Sequence, residues 1–215
     1  MDEIVLRSML KWPNVPSVYG WLRLDRRGRW LIRMPERTGT RAGDAASGAA
    51  SAEPRFERIV NPAMIEFIGR NYNHDAEGRY FFQNGPQRVF VALECTPWIY
   101  RLDESGTHLV AHTGAAAGAP RKSYFDEQGG LILVCEPGVG AVLDRDLAAL
   151  ADRFSDCAGH PLDLEVLIAE ARAGHEARAR IAGTEVPVET IRSEELAARF
   201  GFVQRPVPPE GRPDC

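Results

Sequence analysis

Four side chains with hydrogen-bonding heads surround one short turn in the stretch FFQNGPQRVFV, namely Gln83, Asn84, Gln87 and Arg88. The dipeptide Asn84-Gly85 is enough to reverse a β-hairpin, so the turn itself requires neither the glutamines nor the arginine. Amide groups both donate and accept hydrogen bonds, and a guanidinium presents a planar fork to a carboxylate or phosphate. This combination predicts the rim of a pocket for a polar ligand or for a partner's backbone.

Strand alternation places that predicted rim beside apolar surface. Successive side chains of a strand point to opposite faces, so Gln83 shares a face with Phe81 and Gln87 shares one with Val89. An amide at the edge of a cleft satisfies backbone groups without the desolvation cost of a full charge. The predicted ligand-binding residues are Asn71, Gln83, Asn84, Gln87, Arg88 and Trp98.

The competing interpretation is a solvated turn in which Asn84-Gly85 is purely structural. A similar choice applies to the aromatic residues that are interleaved with prolines. They either line a cleft for an extended peptide or an apolar ligand, or they pack in the core. These residues are Trp12, Tyr19, Trp21, Trp30 and Trp98.

Candidate catalytic residues are few. His112 precedes a loop rich in glycine and alanine, where catalytic residues often lie, but the sequence shows no evident acidic partner for it. The four cysteines form no metal-ligand spacing, and no nucleophile elbow, phosphate loop or dinucleotide motif is present. We therefore expect no catalytic residue, metal or cofactor, and an enzyme that uses His112 and nearby polar groups is the alternative.

Residues 21–42 form a basic stretch within an acidic chain. They hold seven arginines against Asp25 and Glu36, an excess of five positive charges, and include Trp21 and Trp30. Such a hairpin could stack on single-stranded RNA, but a solvated face explains the charges as well, and the whole chain carries a formal charge of −4. A nucleic-acid partner is therefore not expected.

Targeting signals are also lacking in the sequence. Its beginning has neither the basic flank nor the apolar run of a signal peptide, and no apolar stretch approaches the roughly 20 residues of a membrane span. We therefore expect a cytoplasmic protein without a membrane partner, which binds an unidentified small molecule or protein.

Three copies of the pattern Asp-x-x-Gly, each leading into an apolar run, begin at Asp25, Asp75 and Asp126. In such a turn the aspartate binds its own backbone and the glycine adopts a positive φ. The even spacing of 50 and 51 residues predicts a repeated unit made of a helix and an antiparallel β-hairpin. The expected fold class is therefore α+β.

The predicted domain organisation has three parts. Residues 1–157 form the repeated helix–hairpin region, with a mobile insertion of small polar residues at 38–54. Residues 158–204 form a helix–hairpin–helix extension, and the proline-rich residues 205–215 form a loose tail.

Three segments carry a family resemblance: KWPNVPSVYGWLRLDRRGRW, GRYFFQNGPQRVFV and CTPWIYRLD. They resemble an uncharacterised proteobacterial family over about residues 10–155. The plan is more distantly similar to another uncharacterised bacterial family in which an aspartate–glycine–aromatic hairpin repeats around a helix, and for which a signalling or small-ligand role has been suggested. The resemblance implies an architecture. It implies almost nothing about activity. The expected function is a non-catalytic regulatory module that binds a ligand or partner through a cleft between the repeats.

Overall fold

The computed structural model describes residues 1–35, 54–151, 154–156, 158–175, 177–181 and 183–209. Within these ranges the chain forms two mixed β-sheets and five α-helices, which confirms the α+β class. The predicted insertion at 38–54 lies outside the described residues except for Pro54, so its mobility stays a prediction.

The first sheet contains six strands. They are β1 (Val18–Leu24), β2 (Trp30–Arg33), β3 (Phe56–Arg58), β4 (Tyr72–His74), β5 (Tyr80–Asn84) and β6 (Gln87–Leu93). Their order across the sheet is β3-β2-β1-β6-β5-β4, in which β1 and β6 run parallel and all other neighbours run antiparallel. The sequence predicted the hairpins β1–β2 and β5–β6, whereas it missed the three-residue strands β3 and β4.

The second sheet contains seven strands. They are β7 (Trp98–Leu102), β8 (Leu109–Ala111), β9 (Lys122–Phe125), β10 (Leu131–Val134), β11 (Val139–Val142), β12 (Ala177–Ile181) and β13 (Thr184–Thr190). Their order is β12-β13-β9-β10-β11-β7-β8, with parallel pairing at β13–β9 and at β11–β7. The hairpin β12–β13 of the predicted extension 158–204 therefore completes a sheet that the preceding region begins.

Five α-helices lie in the described ranges. They are α1 (Glu3–Lys11), α2 (Pro62–Arg70), α3 (Asp144–Ala151), α4 (Leu164–Arg172) and α5 (Leu196–Phe200), the last preceded by a 3-10 turn at Ser193–Glu195. Asn61 caps α2 because its side-chain oxygen accepts the N–H of Met64 at 3.2 Å. None of the helices in the described ranges has both the length and the apolar character needed to cross a bilayer.

The two sheets pack face to face through one continuous apolar core. Trp30 and Tyr72 of the first sheet belong to the same buried cluster as Ile99 and Ile132 of the second sheet. Side chains on the opposite face of the second sheet pack in another cluster with α3 and α4, to which Leu150 contributes. The second sheet is therefore covered on one face by the first sheet and on the other face by α3 and α4.

The Asp-x-x-Gly turns share one hydrogen-bond pattern. Asp25 accepts the N–H groups of Arg27 and Arg29 on one carboxylate oxygen at 2.9 and 2.8 Å, and its carbonyl accepts the N–H of Gly28. Asp75 and Asp126 repeat this pattern. The three predicted glycines have φ values of 71°, 73° and 85°, so the predicted positive φ is confirmed.

The same turn also occurs where the sequence prediction missed it. Gly106 and Gly159 have positive φ values of 68° and 91°, and each donates its N–H to the carbonyl of an aspartate three residues earlier. Four of these turns join antiparallel neighbours, in the hairpins β1–β2, β4–β5, β7–β8 and β9–β10. A helix directly precedes only the first two, so repeated helix–hairpin units are not evident in the described residues, and what recurs is the turn.

Gly78 and Gly129 share a positive φ but differ in the space around them, so their substitution distinguishes backbone strain from steric overlap. A Cβ atom at Gly129 would meet nothing within 4 Å, whereas a Cβ at Gly78 would overlap the carbonyl oxygen of Gly201. We expect Gly129→Ala to lower the free energy of unfolding by about 1 kcal/mol through its left-handed φ alone. Gly78→Ala adds overpacking and should cost about 3 kcal/mol in total. Urea unfolding of both variants measures the difference, and equal losses would contradict the packing of the Asp75 turn against Gly201.

Candidate functional site

A cleft of about 570 Å³ opens where the two sheets meet beside α2 and the start of α3. One wall comes from the Asp25 turn, the end of β3 and α2, and the other comes from β7 and the connection between β11 and α3. Its lining residues are Arg27, Gly28, Arg29, Trp30, Arg58, Ile59, Ile65, Arg101, Leu143, Asp144 and Arg145. We call this space the arginine cleft.

The Asp25 turn places two arginines at the cleft. Gly28 sits so close to the second sheet that a Cβ atom there would lie 2.8 Å from the Cβ of His112. Arg27 and Arg29 flank this glycine, so the contact between the sheets also sets the position of both arginines. The Nε of Arg29 binds the Asp25 carboxylate at 2.6 Å, which compensates its charge.

Backbone hydrogen bonds hold the opposite wall. The N–H of Leu143 donates to the carbonyl of Tyr100 at 2.8 Å, and the Asp146 carboxylate of α3 accepts the N–H of Leu102 at 2.9 Å. These bonds tie the start of α3 to β7. Arg101 and Arg145 therefore project from elements that are fixed to each other.

The charges of the cleft are unbalanced. Five arginines line it against one carboxylate, that of Asp144. Arg29 pairs with Asp25, and Arg145 approaches Asp146 at 3.3 Å. The other three arginines, Arg27, Arg58 and Arg101, form no ion pair with any residue that the structure describes. The cleft therefore has guanidinium groups available for an anion.

Guanidinium groups are the most frequent polar groups of the lining. Among the described residues of the cleft there is no histidine, cysteine or pair of carboxylates that could transfer a proton or attack a substrate. Arginine stays protonated and binds carboxylates and phosphates with its planar fork. What the arrangement can do is recognise an anion between two walls, one from each sheet.

Asn71 is buried, and its side chain binds backbone groups. Its side chain is 1% exposed, and its Oδ1 accepts the N–H of Asp2 at 2.8 Å. Its Nδ2 donates to the carbonyl of Phe67 at 2.9 Å. Asn71 thus joins the beginning of α1 to the end of α2.

The two glutamines at the hairpin turn bind backbone groups. Gln83 is 1% exposed, and its Nε2 donates to the carbonyl of Gly85 at 2.9 Å. Gln87 donates from Nε2 to the carbonyl of Pro16 at 3.0 Å. Asn84 is exposed, and Arg88 is exposed with its guanidinium 4.7 Å from the centre of the Phe81 ring. Each of these amides satisfies a backbone carbonyl through its Nε2, whereas the buried Oε1 of Gln83 has no partner among the described residues.

Trp98 lies elsewhere, among the rings of the core. Its ring centre is 5.3 Å from that of Tyr72 and 5.8 Å from that of His112. The hairpin brings Gln83 and Arg88 together as a cross-strand pair, and the N–H of Gln83 donates to the carbonyl of Asn71. None of the six predicted residues lines the arginine cleft. Their role in ligand binding stays a prediction.

His112 is enclosed by aromatic rings. Its ring centre lies 5.1 Å from that of Trp30 and 5.7 Å from that of Tyr72. Its Nδ1 accepts the N–H of Ile99 at 3.3 Å, and no described residue pairs with its buried Nε2. Burial lowers the pKa of His112 to about 3, because the charged imidazolium would lose its hydration without gaining a carboxylate.

A local sequence pattern indicated only two of the five arginines of the arginine cleft. Arg27 and Arg29 belong to the basic stretch at 21–42, whose charge excess was the available signal. Arg58, Arg101 and Arg145 stand far apart in the chain and form no local pattern. Only the folding of both sheets brings them to one cleft.

The low pKa of His112 predicts a pH dependence of stability. The unfolded chain takes up this proton near pH 6.5, whereas the folded protein does so only near pH 3. Between these values the unfolded state binds more protons, so acidification lowers the free energy of unfolding, by up to about 1.4 kcal/mol per pH unit from this residue. His112→Phe should flatten the decrease in urea-derived stability between pH 6.5 and pH 4.5. An unchanged slope would contradict a neutral buried imidazole.

Comparisons with known proteins identify the family. A family model with the description "Protein of unknown function (DUF2946)" matches residues 1–207. No curated protein matches the chain. A crystal structure of a DUF1285 family protein from Silicibacter pomeroyi DSS-3 is similar, with 16% sequence identity and a TM-score of 0.47 over 85% of this chain and 86% of that chain. The expected membership of an uncharacterised family is confirmed, since the chain belongs to the family of that model, DUF2944.

Proposed function

We propose that the protein is a non-catalytic binding module that recognises an anionic ligand in the arginine cleft. The observation that carries this proposal is the presence of Arg27 and Arg58 in one cleft without a carboxylate partner among the described residues. The same proposal includes a regulatory role, in which ligand binding changes how the protein binds a partner.

Electrostatics supports an anion at this place. Like charges on both walls of a concave site reinforce each other's potential, and the low-dielectric walls concentrate it. Trp30, Ile59 and Leu143 supply such walls beside the arginines. A ligand that carries carboxylate or phosphate groups relieves the repulsion among the guanidinium groups and forms charge-assisted hydrogen bonds with them.

The environment of His112 does not support the alternative of an enzyme. A general acid or base works best when its pKa lies near the working pH, whereas the pKa of this residue is lowered to about 3. Its Nδ1 is already engaged by the N–H of Ile99. The imidazole instead serves as a flat, neutral packing surface between the sheets.

Several finer expectations belong to this proposal. The free thiols of Cys95 and Cys135 are buried, which suits a cytoplasmic location. Proteobacterial origin, the likeness to a second family of hairpin–helix repeats and the division at residue 157 stay predictions. A nucleic-acid partner is not proposed, because the cleft is concave and the chain as a whole is acidic.

A thermal-shift titration with pyrophosphate tests the proposal. A ligand that binds only the native state raises its stability, so pyrophosphate at millimolar concentration should raise the melting temperature of the protein by a few degrees. Arg58→Ala and Arg27→Ala should each reduce that increase by at least half, because both side chains are exposed at the cleft. Added salt should weaken the effect through screening.

Arg88→Ala is the matched control, since Arg88 is an exposed arginine of the same sheet that does not border the cleft. It should keep the full response to pyrophosphate. If Arg88→Ala loses the response while Arg58→Ala keeps it, the proposal is contradicted. The binding site would then lie at the hairpin that carries Gln83 and Gln87. The absence of any response in the unmodified protein would also contradict it.

A further inference from the structure

We infer that two copies of this chain associate reversibly through α1, with the two helices packed antiparallel and Leu6 of one copy against Leu10 of the other. This surface is separate from the arginine cleft, whose lining includes no residue of α1. Three observations lead to the inference: the exposure of apolar side chains, the narrow attachment of the helix and the distribution of its charges.

Exposed apolar side chains are concentrated around α1. Ten large apolar residues are exposed in the described part of the chain, and five of them lie within its first twelve residues. These five are Met1, Ile4, Leu6, Leu10 and Trp12, and Leu10 has the highest exposed fraction of the ten, 84%. Concentrated apolar surface of this kind is typical of an interaction site, whereas single exposed apolar residues are ordinary.

The rest of the molecule covers only a narrow strip of α1. Val5 is the one buried residue of the helix. The attachment at the start of the helix is polar, because the N–H of Asp2 donates to Oδ1 of Asn71 at 2.8 Å. Leu6 and Leu10 are about one helical turn apart and form a continuous ridge, in which their exposed fractions are 47% and 84%. This ridge is the part of α1 that a second molecule can cover.

The charges of α1 are complementary to those of an antiparallel copy. Glu3 lies in the first turn of the helix and Lys11 in the last turn. A two-fold antiparallel pair therefore places Glu3 of each copy near Lys11 of the other, and Leu6 opposite Leu10 twice. Parallel pairing would instead bring like charges and like helix ends together.

The same charges argue against an anionic lipid surface as the occupant of the ridge. Asp2 and Glu3 balance Arg7 and Lys11, so the segment has no excess of positive charge. A helix that lies on an anionic membrane surface typically carries many Lys and Arg residues on its polar face. A second copy of α1 satisfies both the apolar ridge and the balanced charges.

The length of α1 limits the strength of the association. The helix has nine residues and is therefore about 14 Å long. A pair of such helices buries less than the roughly 1,600 Å² of a standard interface, which is typical of weak and transient association. We therefore expect a dimer that forms at high protein concentration and dissociates on dilution.

Sedimentation equilibrium at protein concentrations up to about 500 μM tests the inference. The average mass should rise from the 23.8 kDa of the monomer towards twice that value as the concentration increases. Leu10→Glu should weaken the association about tenfold or more, because it places a charge in the apolar ridge. Since Leu10 is exposed in the monomer, this variant should keep the circular dichroism and the melting temperature of the unmodified protein.

Val166→Glu is the matched control. Val166 is an apolar residue of α4 that is 58% exposed, so its substitution introduces the same charge on the surface of another helix. This variant should associate as tightly as the unmodified protein.

Charge reversal tests the orientation of the two helices. Glu3→Lys and Lys11→Glu should each weaken the association about threefold, since each brings like charges together in an antiparallel pair. The double variant restores opposite charges and should recover the affinity of the unmodified protein. In a parallel pair, neither single change would alter the association.

Four outcomes would count against the inference. A protein that stays monomeric at about 500 μM would overturn it, and so would Leu10→Glu associating as tightly as the unmodified protein. Single charge variants that keep the full affinity would contradict the antiparallel arrangement. A monomer that binds vesicles of phosphatidylglycerol through Leu10 would assign the ridge to a lipid surface instead of a second copy.

Discussion

The contact between the Asp25 turn and His112 is the constraint on which the arrangement of the two sheets depends. Gly28 lies directly over the Cβ of His112, and Trp30 packs its ring against the imidazole with 5.1 Å between the ring centres. Any larger residue at position 28 would push the sheets apart. Because this contact lies at the edge of the inter-sheet core, the space just outside it becomes the arginine cleft.

The Asp-x-x-Gly turn has two roles in this molecule. It closes hairpins in both sheets, since one carboxylate satisfies backbone N–H groups that the sharp reversal would leave unpaired. In the Asp25 copy its variable positions also carry arginine, and the arginine after the glycine is bound by the turn's own carboxylate. Arg27 has no such partner among the described residues. The Asp25 turn thus contributes two arginines to the cleft: Arg29, whose charge the Asp25 carboxylate compensates, and Arg27, whose charge no described carboxylate compensates.

Local features of the fold could be predicted from the sequence, and features that depend on distant pairing could not. The glycine turns and the cap at Asn61 follow from side chains within five residues of each other. The parallel pairs β1–β6 and β9–β13 bring together residues that lie at least 65 positions apart in the chain, so no short pattern encodes them. The same limit applies to the site: the charge of Arg27 was visible in a basic run, whereas Arg58 and Arg101 acquire significance only when the sheets meet.

Hydrogen exchange measured by mass spectrometry, with and without pyrophosphate, tests the central claim most directly because it locates the bound anion on both walls at once. If an anion bridges the two sheets, peptides that contain residues 25–30, 56–59 and 143–147 should all exchange more slowly in its presence, since their backbone becomes less free to open. Peptides that contain residues 83–88 should exchange at an unchanged rate. Protection confined to residues 83–88, or to only one of the two sheets, would contradict an anion site between them.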